Sequence, residues 1–251
     1  MAVSEEESAY LEVENDIAVA GDVRIAVIGV GGAGCRVASM VYNSMSQAKV
    51  IAINTDKEAL AQTSADVRLY ICKEVTKGVG THGDYVLGKK CAQIHDSEIM
   101  ATVSDCSTAV IVAGMGGGTG TGAAAVVAEL CDRVHVKVVA MAVMPFSFES
   151  MERQRAAAEG FRQLHVICKD VIRIENERIL SVPGVVSLND AMDRVNDSVV
   201  ACIRYAVADA AKIVKNDMTL RMRKTKEVVP VQNAGDGSNV VTSAIFQIQP
   251  N

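Results

Sequence analysis

The amino-acid sequence predicts an α/β fold: a doubly wound, mostly parallel sheet covered by helices, with one long helix near its end. Three observations carry this. Short β-branched runs alternate with helical patterns along most of the chain. Two of those runs end in glycine-rich stretches that lead directly into helical patterns. The apolar share is 49 % while aromatics make up 4 % and Trp is absent, so the core is built from Val, Ile, Ala and Leu, which suits a parallel sheet buried on both faces.

The elements follow in order. Residues 1–20 hold six acids (Glu5, Glu6, Glu7, Glu12, Glu14 and Asp16) and no Lys or Arg, and read as a solvated acidic tail. "VRIAVIG" (23–29) is the first strand, followed by the helical "CRVASMVYNSM" (35–45). "KVIAIN" (49–54), "RLYI" (68–71), "TAVIVAG" (108–114), "KVVAMAV" (137–143) and "DVIRI" (170–174) are five more strands. Helical patterns separate most of them, notably "AAAVVAELCDRV" (123–134) and "ESMERQRAAAEGFRQL" (149–164). From Leu188 the apolar positions 188, 192, 195, 199, 203, 206, 210 and 213 advance in steps of three and four. That spacing gives one apolar face over about 26 residues, roughly 39 Å of helix. After Lys215 the character changes to the basic "RMRKTK" (221–226) and a turn-rich "NAGDGSN". The expected organisation is therefore a tail (1–20), a domain (21–217) and a short C-terminal remnant (218–251), too short for a second domain.

Composition excludes several classes. A net charge of −5 argues against a general nucleic-acid binder. The seven cysteines (35, 72, 91, 106, 131, 168 and 202) form no C-x-x-C pair, and the four histidines are dispersed. They read as thiols in a reducing cytoplasm, with no protein-built metal site. The N-terminus lacks the basic and apolar regions of a signal peptide, and no apolar run reaches the length of a membrane span.

The chemistry lies in the two glycine-rich stretches. "GVGGAG", Gly29 to Gly34, fits G-x-G-x-x-G, with an acid, Asp56, about twenty residues on; alone it describes a Rossmann-like dinucleotide unit. "GMGGGTGTGAA" (114–124) has six glycines and two threonines between Gly114 and Gly122, too many for a regular strand or helix. Bare backbone N–H groups and hydroxyls at the start of a helix attract anions. Two such loops on neighbouring strands point to a run of phosphates gripped from both sides. The P-loop pattern G-x-x-x-x-G-K-[ST] does not occur.

These residues resemble the tubulin/FtsZ GTPase superfamily, and within it the FtsZ proteins of prokaryotic cell division. "GMGGGTGTGAA" is similar to the superfamily's signature loop, and "IAVIGVGGAG", "IAINTDKEAL", "PFSFESMERQRAAAEG" and "IENERIL" follow in the family's order over residues 22–215. The resemblance implies strand order 3-2-1-4-5-6 and a GTP or GDP site, with Mg²⁺ accompanying the nucleotide. It places Gly31, Gly32, Ala33, Gly34 and Cys35 along the phosphates, with Arg36 at the end of that loop and Asn54 near the nucleotide. It lays "KGVGTHGD" (77–84), with Gly80, over the γ-phosphate. Gly116, Gly117, Gly118, Thr119, Gly120, Thr121 and Gly122 cradle the phosphates, with Thr119 giving its hydroxyl. Glu149 and Arg153 reach the ribose, and Asn176 approaches the base. Asn196 and Asp197 read guanine: an aspartate accepts from both N1–H and N2–H₂, and an asparagine amide serves O6 or N7.

Two departures from the family matter. Met192 stands where the family commonly stacks a Phe on the base. After the long helix the family carries an acidic loop that completes the neighbouring subunit's site, then a second domain; here Asp217 is the nearby acid and serves as the candidate catalytic residue. The implied function is a cytoplasmic FtsZ-like GTP-binding protein of cell division or cytoskeletal organisation, feebly hydrolytic alone, with a full-length FtsZ or similar filament subunit as partner. The alternatives are a self-associating, polymerising GTPase that uses Asp217, and a NAD-dependent oxidoreductase, which leaves the second loop and Asn196–Asp197 idle.

Overall fold

The computed structural model describes residues 24–181 and 187–226, with side chains of the last helix described through residue 213. The acidic segment 1–20 and the chain beyond residue 226 lie outside the described residues. The chain separates into two units, Met1–Asn216 and Asp217–Asn251.

In the first unit six strands form one sheet in the order β3-β2-β1-β4-β5-β6. They are β1 (Ile25–Val30), β2 (Ala48–Asn54), β3 (Val67–Tyr70), β4 (Thr108–Gly114), β5 (Lys137–Met144) and β6 (Asp170–Glu175). Every pairing is parallel. The chain order turns around between β1 and β4, and this is where an open α/β sheet leaves a crevice beyond the carboxyl ends of its strands. All six residues of β1 are buried, as are the first six of β4, whereas edge strand β6 is largely accessible. The central strands therefore show unbroken apolar runs and no alternation, because helices cover both of their faces.

One face carries α1 (Gly31–Ser44) and the part of α8 (Leu188–Lys226) that belongs to the first unit. Val37 and Val41 of α1 and Val195, Val199, Ile203 and Val207 of α8 pack with Val27, Val50, Val110 and Met141 of the sheet. The other face carries α4 (Tyr85–Ile94), α5 (Asp96–Val103), α6 (Gly118–Arg133) and α7 (Met151–Ile167), which close over Ile28, Ile51, Ile53 and Ile111. Two short helices, α2 (Lys57–Ala61) and α3 (Lys73–Thr76), follow β2 and β3, and a 3-10 turn, Asn176–Ser181, follows β6. Among the described residues no helix is long and apolar enough to cross a membrane.

Two expectations change. The glycine-rich stretches are not loops up to Cys35 and Ala123: α1 starts at Gly31 and α6 at Gly118. Tertiary contact overrides propensity there. A Cβ on Gly122 would run into the Tyr85 carbonyl and lie 2.6 Å from the Lys89 nitrogen, so the bare first turns let α4 cross α6 backbone to backbone. The backbone of the last helix also continues to Lys226, past the expected change at Lys215. Met, Leu, Arg and Lys are good helix formers, and the first proline after Lys215 is Pro230.

Candidate nucleotide-binding site

A cleft of about 640 Å³ opens over the carboxyl edge of the sheet. Its floor includes Val30, Asn54, Gly114 and Met144, each the last residue of its strand. The walls come from the starts of α1 and α6, the loop between α3 and α4, the loop between β5 and α7, the turn after β6 and the start of α8.

The helix starts differ in what meets their first N–H groups, and α3 and α5, which lack a side-chain cap, carry acids in the first turn. Asp56, Asp84 and Ser150 cap α2, α4 and α7 by accepting backbone N–H bonds from Ala59, Leu87 and Arg153. Neither α1 nor α6 has a side-chain cap or an acid in its first turn. Their first N–H groups and positive dipole ends are thus left for an anion, with Gly32, Ala33, Gly117, Gly118, Thr119 and Gly120 on the wall. The two starts also touch. Gly31 has φ +72°, and a Cβ there would sit 2.6 Å from the Gly120 nitrogen. The cleft wall at this end is made of backbone.

Hydroxyls complete it. Thr119 Oγ1 lies 2.6 Å from Thr55 Oγ1 and 3.5 Å from Thr81 Oγ1, and all three threonines are buried. Gly80, Thr81, His82 and Gly83 form the neighbouring rim. That loop is tightly wound, with φ of +78° at Gly80, +48° at His82 and +87° at Gly83.

Two buried amides in the lining, one at the end of β2 and one just after β6, each have an unpartnered atom. Asn54 is 2 % exposed; its Oδ1 accepts the N–H groups of Thr55 (2.9 Å) and Asp56 (3.3 Å), while its Nδ2 has no partner. Asn176 is 6 % exposed and its Oδ1 has no partner. Both residues line the cleft. A buried polar atom without a hydrogen bond costs about 1–3 kcal/mol, and one orphaned donor and one orphaned acceptor in the same cleft fit a polar ligand.

The charged groups are committed. Glu149 Oε1 accepts the Phe146 N–H at 2.8 Å and its Oε2 pairs with Arg153 at 2.9 Å. Asp56 Oδ1 holds the Ala59 N–H at 2.9 Å, a capping role that the dinucleotide reading did not foresee. Among the described residues no group of three or more His, Cys, Asp or Glu could hold a metal ion.

Of the expected site residues, Gly32, Ala33, Asn54, Gly80, Gly117, Gly118, Thr119, Gly120, Glu149, Arg153, Asn176, Met192 and Asn196 line the cleft. Others stand behind it. Gly31 and Gly34 are packing positions, Gly34 against the Val112 carbonyl. Cys35 is 2 % exposed, and burial pushes its thiol up to about 12, so it is an inert core group. Arg36 is exposed on α1 and lines no part of the cleft. Gly116 donates its N–H to Thr121 Oγ1 at 2.8 Å, which makes both braces of the loop, and Gly122 serves the α4 crossing.

Gly118 lines the cleft, but its missing side chain makes room for protein: a Cβ would overlap the Thr81 hydroxyl and lie 2.9 Å from the Asp84 carbonyl. Asp197 is exposed and outside the lining, whereas Asn196 is half-buried within it. Leu188, Met192, Val195 and Asn196 share the cleft-facing side of α8, and one further residue turns Asp197 away by about 100°. Asp217 falls in α8 beyond the residues whose side chains are described. Sequence reasoning missed Thr55 and Thr81, which only the fold brings to Thr119. It also missed Phe146 and Phe148, although two of the four phenylalanines within three residues were a signal.

Comparison with known proteins agrees with this geometry. Residues 24–184 match the family model "Tubulin/FtsZ family, GTPase domain". The chain is 33 % identical over 182 residues to cell division protein FtsZ 1 of Pyrococcus horikoshii, covering 72 % of this chain and 49 % of that one. It is 37 % identical over 161 residues to cell division protein FtsZ 2 of Haloferax volcanii, covering 64 % and 40 %. The solved structure "FtsZ dimer, empty" from M. jannaschii superposes with a TM-score of 0.72 at 31 % identity, covering 81 % of this chain and 59 % of that one. The chain spans about half the length of the first curated relatives it matches. The six-stranded parallel order, the two uncapped helix starts over one cleft and the match across residues 24–184 lead to one assignment: this chain belongs to the Tubulin/FtsZ family and carries its GTPase domain.

Proposed function

We propose that this chain binds GTP or GDP in the cleft as a protein of cell division or cytoskeletal organisation. The observation that carries the reading is the pair of buried, unpartnered amide atoms, Asn54 Nδ2 and Asn176 Oδ1, in a cleft whose wall also holds two uncapped helix starts. The first suits a phosphate or ribose oxygen and the second a base N–H. The di- or triphosphate lies against Gly32, Ala33 and Gly117–Gly120, with the Thr55–Thr81–Thr119 hydroxyls beside it. The ribose lies near Glu149 and Arg153, and the base between Asn176, Met192 and Asn196. Mg²⁺ enters with the nucleotide as counterion of its phosphates, since the described residues offer no cage. The test is calorimetry with GTP, GDP and ATP, with Mg²⁺ and with EDTA. Guanine nucleotides bind at least tenfold tighter than ATP, and EDTA weakens GTP. Equal affinity for ATP overturns the base assignment.

Hydrolysis by this cleft alone is slow in this reading. Phosphoryl transfer needs a positioned water and charge stabilisation. The carboxylates in the cleft lining, Asp56 and Glu149, are already bonded to the chain's own groups. The acid then comes from a neighbour: a full-length FtsZ-type filament subunit in the one-sided, regulatory reading, or Asp217 of a second copy in the polymerising one. Phosphate release and light scattering separate them. Turnover only with added full-length FtsZ supports the first; rapid turnover and filaments alone, lost in Asp217→Ala, establish the second.

A further inference from the structure

We propose that Phe148 is the stacking platform for the base of the bound nucleotide, an inference that rests on the nucleotide reading above. A nucleobase is a flat, poorly hydrated plate, and a cleft that holds one gains from an aromatic face; such a stack is worth about tenfold in affinity. The ring side chains lining the cleft are His82, Phe146 and Phe148. His82 lies in the α3–α4 loop beside Thr81, at the phosphate end. Phe146 is 2 % exposed and unavailable, while Phe148 is 60 % exposed.

The two phenyl rings stack on each other, with centroids 5.0 Å apart and planes 14° from parallel. Phe146 covers one face of Phe148, which is otherwise largely exposed. Their loop is pinned on three sides. The Phe146 N–H bonds to Glu149 at 2.8 Å, and its carbonyl accepts from Gln154 Nε2 at 2.5 Å. Ser147 donates both its N–H (2.9 Å) and its hydroxyl (2.8 Å) to the Glu177 carboxylate. Those two bonds hold the Glu177 carboxyl below the usual glutamate range.

Glu177 follows Asn176, the residue with the orphaned acceptor. The clamp therefore fixes an exposed aromatic ring beside the group assigned to the base. A ring already held in place costs little ordering when a ligand arrives. Met192, also on the lining, is a flexible thioether and packs against the edge of the base.

The chain contains no tryptophan, so Phe148→Trp and Met192→Trp each create a lone indole reporter. Titration of either variant with GDP reads its contact with guanine as quenching. Strong quenching in Phe148→Trp and weak quenching in Met192→Trp is the expected pair; the reverse order overturns the proposal. In parallel, Phe148→Ala and Phe148→Leu are measured by calorimetry against GDP, ATP and inorganic tripolyphosphate. Leu keeps the apolar bulk without the face. Both variants are expected to lose about tenfold for GDP and a similar factor for ATP, because every base has a π-face, with tripolyphosphate unchanged. Wild-type GDP affinity in Phe148→Ala, or an equal loss for tripolyphosphate, refutes stacking. A wild-type chain that fails to bind GTP sinks the nucleotide reading itself, a result the variants alone do not give.

Discussion

The two neighbouring polar residues on α8 allow a sharp test of which one meets the base. Asn196 lies in the cleft lining and Asp197 is exposed outside it. A neutral hydrogen bond contributes about 0.5–1.5 kcal/mol and one to a charged group about 1.5–3 kcal/mol. Asn196→Ala should therefore weaken GTP and GDP by roughly three- to tenfold. Asn196→Asp puts a carboxylate against the guanine N1–H and N2–H₂ donors. The difference between the two bond classes is about 1 kcal/mol, so GTP should bind roughly fivefold tighter. The same carboxylate faces an unprotonated N1 on adenine, so ATP should bind more weakly. Asp197→Ala should change GTP affinity less than about twofold, because an exposed carboxylate gives up little that water does not replace. Calorimetry at pH 7 with the three variants and both nucleotides measures all of this. A larger loss in Asp197→Ala than in Asn196→Ala would refute the assignment of the cleft-facing side of α8.

The remaining predictions concern the walls and the core. Gly122→Ala should lower the melting temperature by several degrees: overpacking of about 1–3 kcal/mol at the Tyr85 carbonyl outweighs the roughly 1 kcal/mol that Ala gains over Gly in a helix, and an unchanged thermal transition argues against the close crossing. Gly118→Ala should lower stability and GTP affinity together by displacing the loop at Thr81 and Asp84; lost binding with a wild-type melt shows instead that the ligand occupies that space. Asn54→Asp keeps the acceptor for Thr55 and Asp56 but removes the unpartnered donor and adds a negative charge, so GTP should weaken more than tenfold, and unchanged affinity counts against Asn54 as a ligand contact. Burial raises the thiols of Cys35 and Cys131 to about 12 and of Cys106 and Cys168 to about 11. Their folded values lie above the unfolded ones, so this contribution is whole below about pH 9 and is lost as pH rises toward 11–12. Denaturant titrations from pH 8 to 10.5 should show falling stability, and a thiol reagent at pH 8 should label the half-exposed Cys202 well before these four.

The strands were legible because each buried one is a short β-branched run, and all six fall within two residues of their expected limits at either end. Helix starts were less so. Glycine is a poor helix former, and counting it hides a first turn whose bareness serves a backbone crossing elsewhere in the chain, as at Gly122 and Tyr85. The two bare helix starts on the cleft wall could be read because two glycine stretches each lie between a strand and a helix. The hydroxyl group of three could not, because Thr55, Thr81 and Thr119 sit on separate segments. That Asn196 and not Asp197 lines the cleft was legible in principle: Asn196 is four residues after Met192 and one after Val195, inside the apolar phase of the helix.

The contact between the helix starts at Gly31 and Gly120 sets what kind of change the cleft survives. Where an anion site is a ring of lysines, removing one cation weakens it by a step, and another can be recruited nearby. In the proposed site the grip comes from peptide groups that no substitution deletes, held in place by the absence of side chains. Such a site depends less on any single surface charge than a lysine ring does, and it is intolerant of a single methyl group at the seam. In a saturating library scored for nucleotide retention, the sharpest boundary would follow side-chain volume at these two positions, with polarity and charge counting for little.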